Sequence, residues 1–441
     1  MKEFFLAIKQ EYLSYRVAVN IVILATLCLC SMITQFMNIA LLVVVAIIFV
    51  LTPFKEEIFY YLMFLAPFAS SLRLFDLELV YITLLAFGNV CLFIKLVFEK
   101  KVRINWFILI SFILLFVYMF MPIGEYNFKK FGYIGLIAVI ILSSYNIYSY
   151  RDKLSVSKLA KFGLFGLIYA SLLTIFLPYF PEINKFIILT YSGEFKRFNA
   201  LFTNPNHLSE FCVVLISLFA SVIICDNHKR KNILFFIISL IIGYLSYSKS
   251  FMLLCGLVLF ILLVYSIIFC YKNANYKKHL LWVLPIFVVI IAVTGYVFLQ
   301  RSGILSGEFN LDSITTDRVD IWINALKEVA KSPISLIFGL GMASELITSG
   351  GYLSTHNIYI EFFQRLGIVG TLILLVIIVY CFVTALKKNK VHFSSFIPLF
   401  IVMCYGLAES LILNMCMIYL IPISIGICFI DCNKKLRVKN E

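Results

Sequence analysis

Five histidines occur among 441 residues, and His356 is the one best placed for chemistry. It opens the run His356-Asn357-Ile358-Tyr359-Ile360-Glu361-Phe362-Phe363-Gln364-Arg365-Leu366-Gly367-Ile368-Val369-Gly370 at the mouth of an apolar segment. An imidazole titrates near neutrality, so a histidine there can take a proton from a hydroxyl, or it can serve only as a hydrogen-bonding bystander. Asn357 suits a positioning partner or a helix start. Three cations stand in marked surroundings. Arg197 begins Arg197-Phe198-Asn199-Ala200-Leu201-Phe202, ahead of Asn204-Pro205-Asn206; Lys249 lies in Ser246-Tyr247-Ser248-Lys249-Ser250; Arg318 follows Asp317 and precedes Trp322. Each can hold an anion or mark a membrane interface, and Arg197 and Arg318 can also pair with Glu194 and Asp320. Asn206 and His207 suit a cap on the next helix, because Asn-Pro-Asn is a turn and cap signal. Gly339, Gly341, Gly367 and Gly370 suit backbone turns and close helix packing, and Trp322 an interfacial anchor. No His or Cys cluster has metal-ligand spacing and no glycine-rich phosphate loop follows a strand, so neither metal nor cofactor is expected.

The elements that must position these groups are membrane spans. The chain is 62% hydrophobic and 14% charged, against roughly 45 to 50% and 25% in soluble domains. Apolar stretches recur near 17–35, 37–53, 58–71, 79–98, 106–121, 132–149, 163–178, 208–225, 233–247, 251–270, 281–299, 359–386, 394–408 and 411–430. The expectation is an all-α integral membrane protein, one polytopic domain over 1–441, with a bundle of about 12 to 14 helices crossing a roughly 30 Å layer. No small-residue cleavage site follows the first run, so that helix is expected to stay in place.

Basic residues set the orientation, because Lys and Arg near span ends resist translocation. With the N-terminus inside, most of the 37 fall on the cytoplasmic side, and the C-terminus is cytoplasmic too. The net charge of +14 is then topogenic and does not call for nucleic acid. Eleven of the 12 cysteines lie in or beside apolar spans and Cys432 in the tail, so they read as small buried hydrophobes. Intramembrane acids are scarce, which argues against an ion-driven transporter.

Two outward connections are long, 179–207 and 300–358, and long loops on a membrane scaffold tend to carry site chemistry. Within the second, Val319, Trp322, Ile323, Leu326, Val329 and Ala330 fall on one face at helical spacing. This predicts an amphipathic helix over 316–331, too polar to span, lying flat at the outer interface.

The order and spacing of these elements resemble the O-antigen ligase and O-antigen polymerase superfamily of bacterial membrane glycosyltransferases. The resemblance is carried by Arg197 with Asn204-Pro205-Asn206, the Ser246-to-Ser250 turn, Asp317-Arg318 with Trp322, Gly339-Leu340-Gly341, and His356-Asn357 followed by Gly367 and Gly370. It covers about 190 to 370. Lys249 stands where the family pattern has arginine, which keeps the charge and loses the planar fork.

That resemblance implies a multi-pass protein of the bacterial inner membrane with an extracytoplasmic site, acting on glycans linked to undecaprenyl diphosphate. Arg197, Lys249 and Arg318 would neutralise the diphosphate leaving group, and His356 would deprotonate the acceptor hydroxyl in an inverting, metal-independent transfer. Asn357, Asn206, Gly339, Gly341, Gly367 and Gly370 would support the site. Expected partners are lipid-linked oligosaccharides, membrane lipid and a chain-length regulator. A polymerase is favoured because the chain is rich in Ile, Phe, Lys, Asn and Tyr, in keeping with serotype-specific polysaccharide clusters. A ligase acting on lipid A-core is the alternative, and a lipid-linked oligosaccharide flippase the competing non-enzymatic class.

Overall fold

In a computed structural model, residues 2–34, 36–72, 79–100, 105–121, 128–176, 191–192, 195–225, 229–272, 292, 295–296, 299–300, 318–341, 346–348, 351–353, 355–388, 393–411 and 414–430 are described. The chain is an all-α integral membrane protein. Seven of its described helices are long and apolar enough to cross a membrane, and four shorter apolar helices accompany them. The expected span at 281–299 lies almost wholly outside the described residues.

The contacts divide the chain into two compact units, 1–101 with 158–204 and 102–157 with 205–441. The first contains α1 (Lys2–Ile33), α2 (Phe36–Leu51), α3 (Glu56–Leu65), α4 (Val80–Phe98) and most of α7 (Val156–Phe176). Its α1 and α3 are joined by a polar chain within apolar surroundings. Arg16 Nε donates to Glu57 Oε2 at 3.1 Å, and Asn20 donates to the Tyr61 hydroxyl at 3.0 Å, which in turn donates to Glu57 at 3.3 Å. Burying a charge is tolerable only with this degree of pairing. A small antiparallel pair, β1 (Tyr191–Ser192) with β2 (Phe195–Lys196), ends immediately before Arg197.

In the second unit, α8 (Pro205–Cys225) is the central post, buried along nearly all its length because its residues are apolar all round. Packed on it are α9 (Lys229–Leu245), α10 (Lys249–Lys272) and α14 (Ile397–Gly406). Further out, α5 (Trp106–Met119) and α6 (Phe128–Tyr150) pack together. Against α6 lies α15 (Met417–Ile427), where Gly426 admits the Ile147 side chain.

Three further helices belong to this unit. They are α11 (Arg318–Val329), α12 (Pro333–Phe338) and α13 (Ile358–Lys388). The predicted amphipathic helix exists over Arg318–Val329, and of its expected apolar face Val319, Trp322 and Val329 are covered. Ala325 and Val329 are buried and Arg318 and Trp322 half-buried, a set at spacings of four, three and four that packs toward α13. Ile323, Leu326 and Ala330 instead face outward. Residues 316 and 317 lie outside the described residues.

Two devices lock α11 and α12 to α13. Ser332 caps α12 by accepting from Ser335 N, and the Ser335 hydroxyl donates back to the Val329 carbonyl at 2.7 Å. Gly367 breaks the helical dihedrals of α13 at φ 63°, which releases carbonyls that a continuous helix would have used. Leu340 N takes the Gln364 carbonyl at 2.8 Å and Gly341 N takes that of Arg365 at 3.1 Å. Backbones approach so closely that a Cβ at Gly339 would meet the Arg365 carbonyl, and one at Gly367 the Ile337 carbonyl.

Candidate functional site

His356 lies between the hairpin β3 (Leu346–Thr348) with β4 (Gly351–Leu353) and the start of α13. Asn357 begins that helix by accepting from Tyr359 N at 3.0 Å and Ile360 N at 3.1 Å. Its amide also donates to the Leu407 carbonyl at 3.0 Å, so Asn357 both caps α13 and ties it to the segment after α14. His356 itself has φ 49°, in the left-handed region that non-glycine residues rarely adopt. Among the described residues the positive-φ non-glycines are Lys100, Ala200, Leu201, Tyr247 and His356. All but Lys100 fall within the three motif segments, where backbone strain commonly accompanies function.

The segment after α14 supplies the partner that the sequence reading missed. Glu409 Oε2 accepts from His356 Nδ1 at 2.9 Å. Its other oxygen accepts from Arg318 Nη2 at 2.9 Å and from Asn206 Nδ2 at 2.9 Å. Arg318 Nη1 also donates to the Ala408 carbonyl. Burial pushes the Glu409 carboxyl up, yet the His356 hydrogen bond and the Arg318 charge outweigh it and hold it below its ordinary value. A carboxylate only accepts, so Nδ1 carries the hydrogen and Nε2 of the neutral ring carries the lone pair. The His356 side chain is 38% exposed and that of Glu409 8%, which sets a reachable base on a buried anion.

Beneath this pair lies a polar layer within α8, α14 and α15. The Ser209 hydroxyl donates to the Asn206 carbonyl at 2.7 Å and accepts from the Tyr405 hydroxyl, which lies 3.3 Å from the same carbonyl. One turn along α8, buried Glu210 accepts from Asn414, whose Oδ1 takes the Cys416 N–H. The stretch bearing Glu409 is thus held at Leu407, Ala408, Glu409 and Asn414.

The expected site residues are distributed unevenly. His356, Asn357, Asn206 and Arg318 meet around Glu409. Asn206 sits in the first turn of α8 with its amide on Glu409. Arg318 engages Glu409 and the Ala408 carbonyl and not Asp320. Lys249, half-buried, starts α10 immediately after Ser248, which hydrogen-bonds the Tyr405 hydroxyl. Arg197 is half-buried and belongs to the first unit. Gly339 and Gly367 sit at the backbone contacts described above, Gly341 has φ 96° and donates to the Arg365 carbonyl, and a Cβ at Gly370 would strike Leu366. Trp322 turns its indole N–H onto the Thr355 carbonyl at 2.8 Å.

A signal for Glu409 was present. It is the single acidic residue between Glu361 and Asp431, in the two-residue connection between the apolar stretches at 394–408 and 411–430. An isolated carboxylate there needs a partner.

Within an all-α membrane protein, the described residues thus bring His356 and Glu409 together as a hydrogen-bonded histidine-carboxylate pair. Residues 234–375 match the family described as O-antigen ligase, so this stretch is similar to the O-antigen ligases and polymerases. The matched stretch contains Lys249, Arg318, Gly339, Gly341, His356, Asn357, Gly367 and Gly370, while Asn206 and Glu409 lie outside it. Members of this family are glycosyl-transfer enzymes, and the domain supports ligase- or polymerase-type function in that broad sense. No curated protein matches the chain.

Proposed function

We propose that this protein joins glycans carried on undecaprenyl diphosphate at the extracytoplasmic face of the bacterial inner membrane, acting as a polysaccharide polymerase. The observation that carries the reading is the His356 Nδ1 to Glu409 contact at 2.9 Å, because it leaves Nε2 as the basic nitrogen. The acceptor hydroxyl gives its proton to Nε2 as its oxygen attacks the anomeric carbon. The bond from that carbon to the diphosphate breaks, the diphosphate departs with the electron pair, and the anomeric centre inverts. A positioned general base contributes about 10²- to 10⁴-fold.

Arg197 and Lys249 are assigned to the diphosphate, whose charge must be neutralised near a low-dielectric boundary. Arg318 is assigned a second task. It keeps Glu409 ionised, and an ionised Glu409 orients the imidazole and stabilises it once protonated. The chemistry needs no metal in this scheme, since fixed cations meet the leaving group. Lipid and a chain-length regulator are the proposed partners.

The description of the matched family favours a second reading, transfer of finished glycan to lipid A-core by a ligase. Donor chemistry is the same in both, so the acceptor decides. The test is the glycan profile of cells carrying His356→Ala. Single lipid-linked repeats accumulating would support a polymerase and unattached long chains a ligase, whereas normal chains at normal length would remove the enzymatic reading.

A further inference from the structure

On α11, Arg318 and Trp322 stand one turn apart on the same face, and each grips one of the two segments that form the proton-transfer pair. Arg318 holds the 408–409 segment, and the Trp322 indole N–H donates to the Thr355 carbonyl at 2.8 Å. Thr355 is buried, and its hydroxyl donates to the Asn357 carbonyl at 3.0 Å, closing a small turn around His356. That turn includes the left-handed backbone of His356. A non-glycine residue stays in this region only while its neighbours over-determine it, and a relaxed backbone would swing the ring away from Glu409.

We propose that Trp322 is a positioning residue for the transfer: its N–H on the Thr355 carbonyl fixes the turn that aims His356 at Glu409. An indole acting only as an interfacial anchor would direct its N–H to water and headgroups. Here the N–H points inward at a buried carbonyl next to the base. The inference rests on His356 being that base, and it adds a residue the transfer scheme does not use.

The test uses the full-length protein in lipid nanodiscs, with the lipid-linked repeat purified from a strain lacking this protein. Trp322→Phe keeps the ring and loses the N–H. Turnover should fall about 10- to 100-fold at an unchanged donor KM, the scale expected for a misplaced catalytic group. In a Glu409→Gln background the same change should add less than about twofold, because a ring that has lost its basic Nε2 gains nothing from being well aimed. Benzothienylalanine at position 322 is isosteric with tryptophan but lacks the N–H, and serves as the second variant should Phe disturb folding. Three results would overturn the proposal: turnover within about twofold of wild type, a loss expressed in donor KM, or full additivity with Glu409→Gln. A parallel His356→Ala sample separates the two levels. If it is inactive while Trp322 variants are normal, only the Trp322 role falls; if it turns over normally, the base assignment fails and takes this inference with it.

Discussion

Replacing Glu409 by glutamine tests the site at its centre. Oε1 of Glu409 accepts from Arg318 and Asn206, both of which can only donate at those atoms, so the glutamine carbonyl must occupy that position. The glutamine NH2 then faces His356 Nδ1, where the carboxylate oxygen had accepted. Two N–H groups cannot share that contact, so the ring shifts its hydrogen to Nε2, the nitrogen required as base. A tautomer reversal of this kind in the serine-protease triad costs about 10⁴-fold, and a loss of about 10³- to 10⁴-fold in turnover is expected here. Stability should fall as well, by about 3 kcal/mol, because Arg318, at 15% exposure, loses its carboxylate partner. The assay is release of diphosphate carrier from purified lipid-linked donor, with thermal unfolding in the same nanodiscs. Turnover within about threefold of wild type, in protein that folds, would refute the orientation argument.

Other outcomes follow from the same geometry. Because the folded-state value of Glu409 is depressed, its stabilisation is present above the unfolded carboxylate value and is lost as pH falls through the folded one; acid should lower the unfolding temperature of wild type more than that of Glu409→Gln. Gly339→Ala should destabilise by several kcal/mol, since φ 78° and the Arg365 carbonyl both oppose a side chain, and yield of folded protein in detergent is the measure. Lys249→Ala and Arg197→Ala should each weaken donor binding by about 10- to 100-fold, the worth of a charge-assisted hydrogen bond, with Lys249→Arg near normal in a direct binding assay. Single cysteines at 197 and 356 should react with an impermeant thiol reagent added from outside; reaction from the cytosol alone would refute the proposed orientation.

Much of the fold was legible because spans announce themselves by composition, and the glycines because few residues tolerate backbone contact. Asn357 was legible as a helix start and His356 as a candidate base, since both depend on local pattern. The role of Glu409 was not, because it arises from contact with His356, 53 residues away, and with Asn206, 203 residues away. The same distance hid the duty of Arg318, whose partner Glu409 lies 91 residues away while Asp320 is only two. Periodicity marked one apolar face of α11, of which Val319, Trp322 and Val329 are covered. Ile323 and Leu326 are apolar, and hydropathy alone cannot tell the side packed on α13 from the side turned outward. For Trp322, composition suggested a membrane anchor, and only the direction of one N–H reveals the buried carbonyl it serves.

The interruption of α13 at Gly367 bears on how such chains can be recombined. Because the carbonyls of Gln364 and Arg365 are completed by the amides of residues 340 and 341, the segment from α11 to residue 341 and the opening turns of α13 form one exchangeable cassette. A chimera that swaps the loop but retains a continuous helix would use those carbonyls within the helix and strand the two amides. Workable crossover points therefore lie before Arg318 and beyond Gly370.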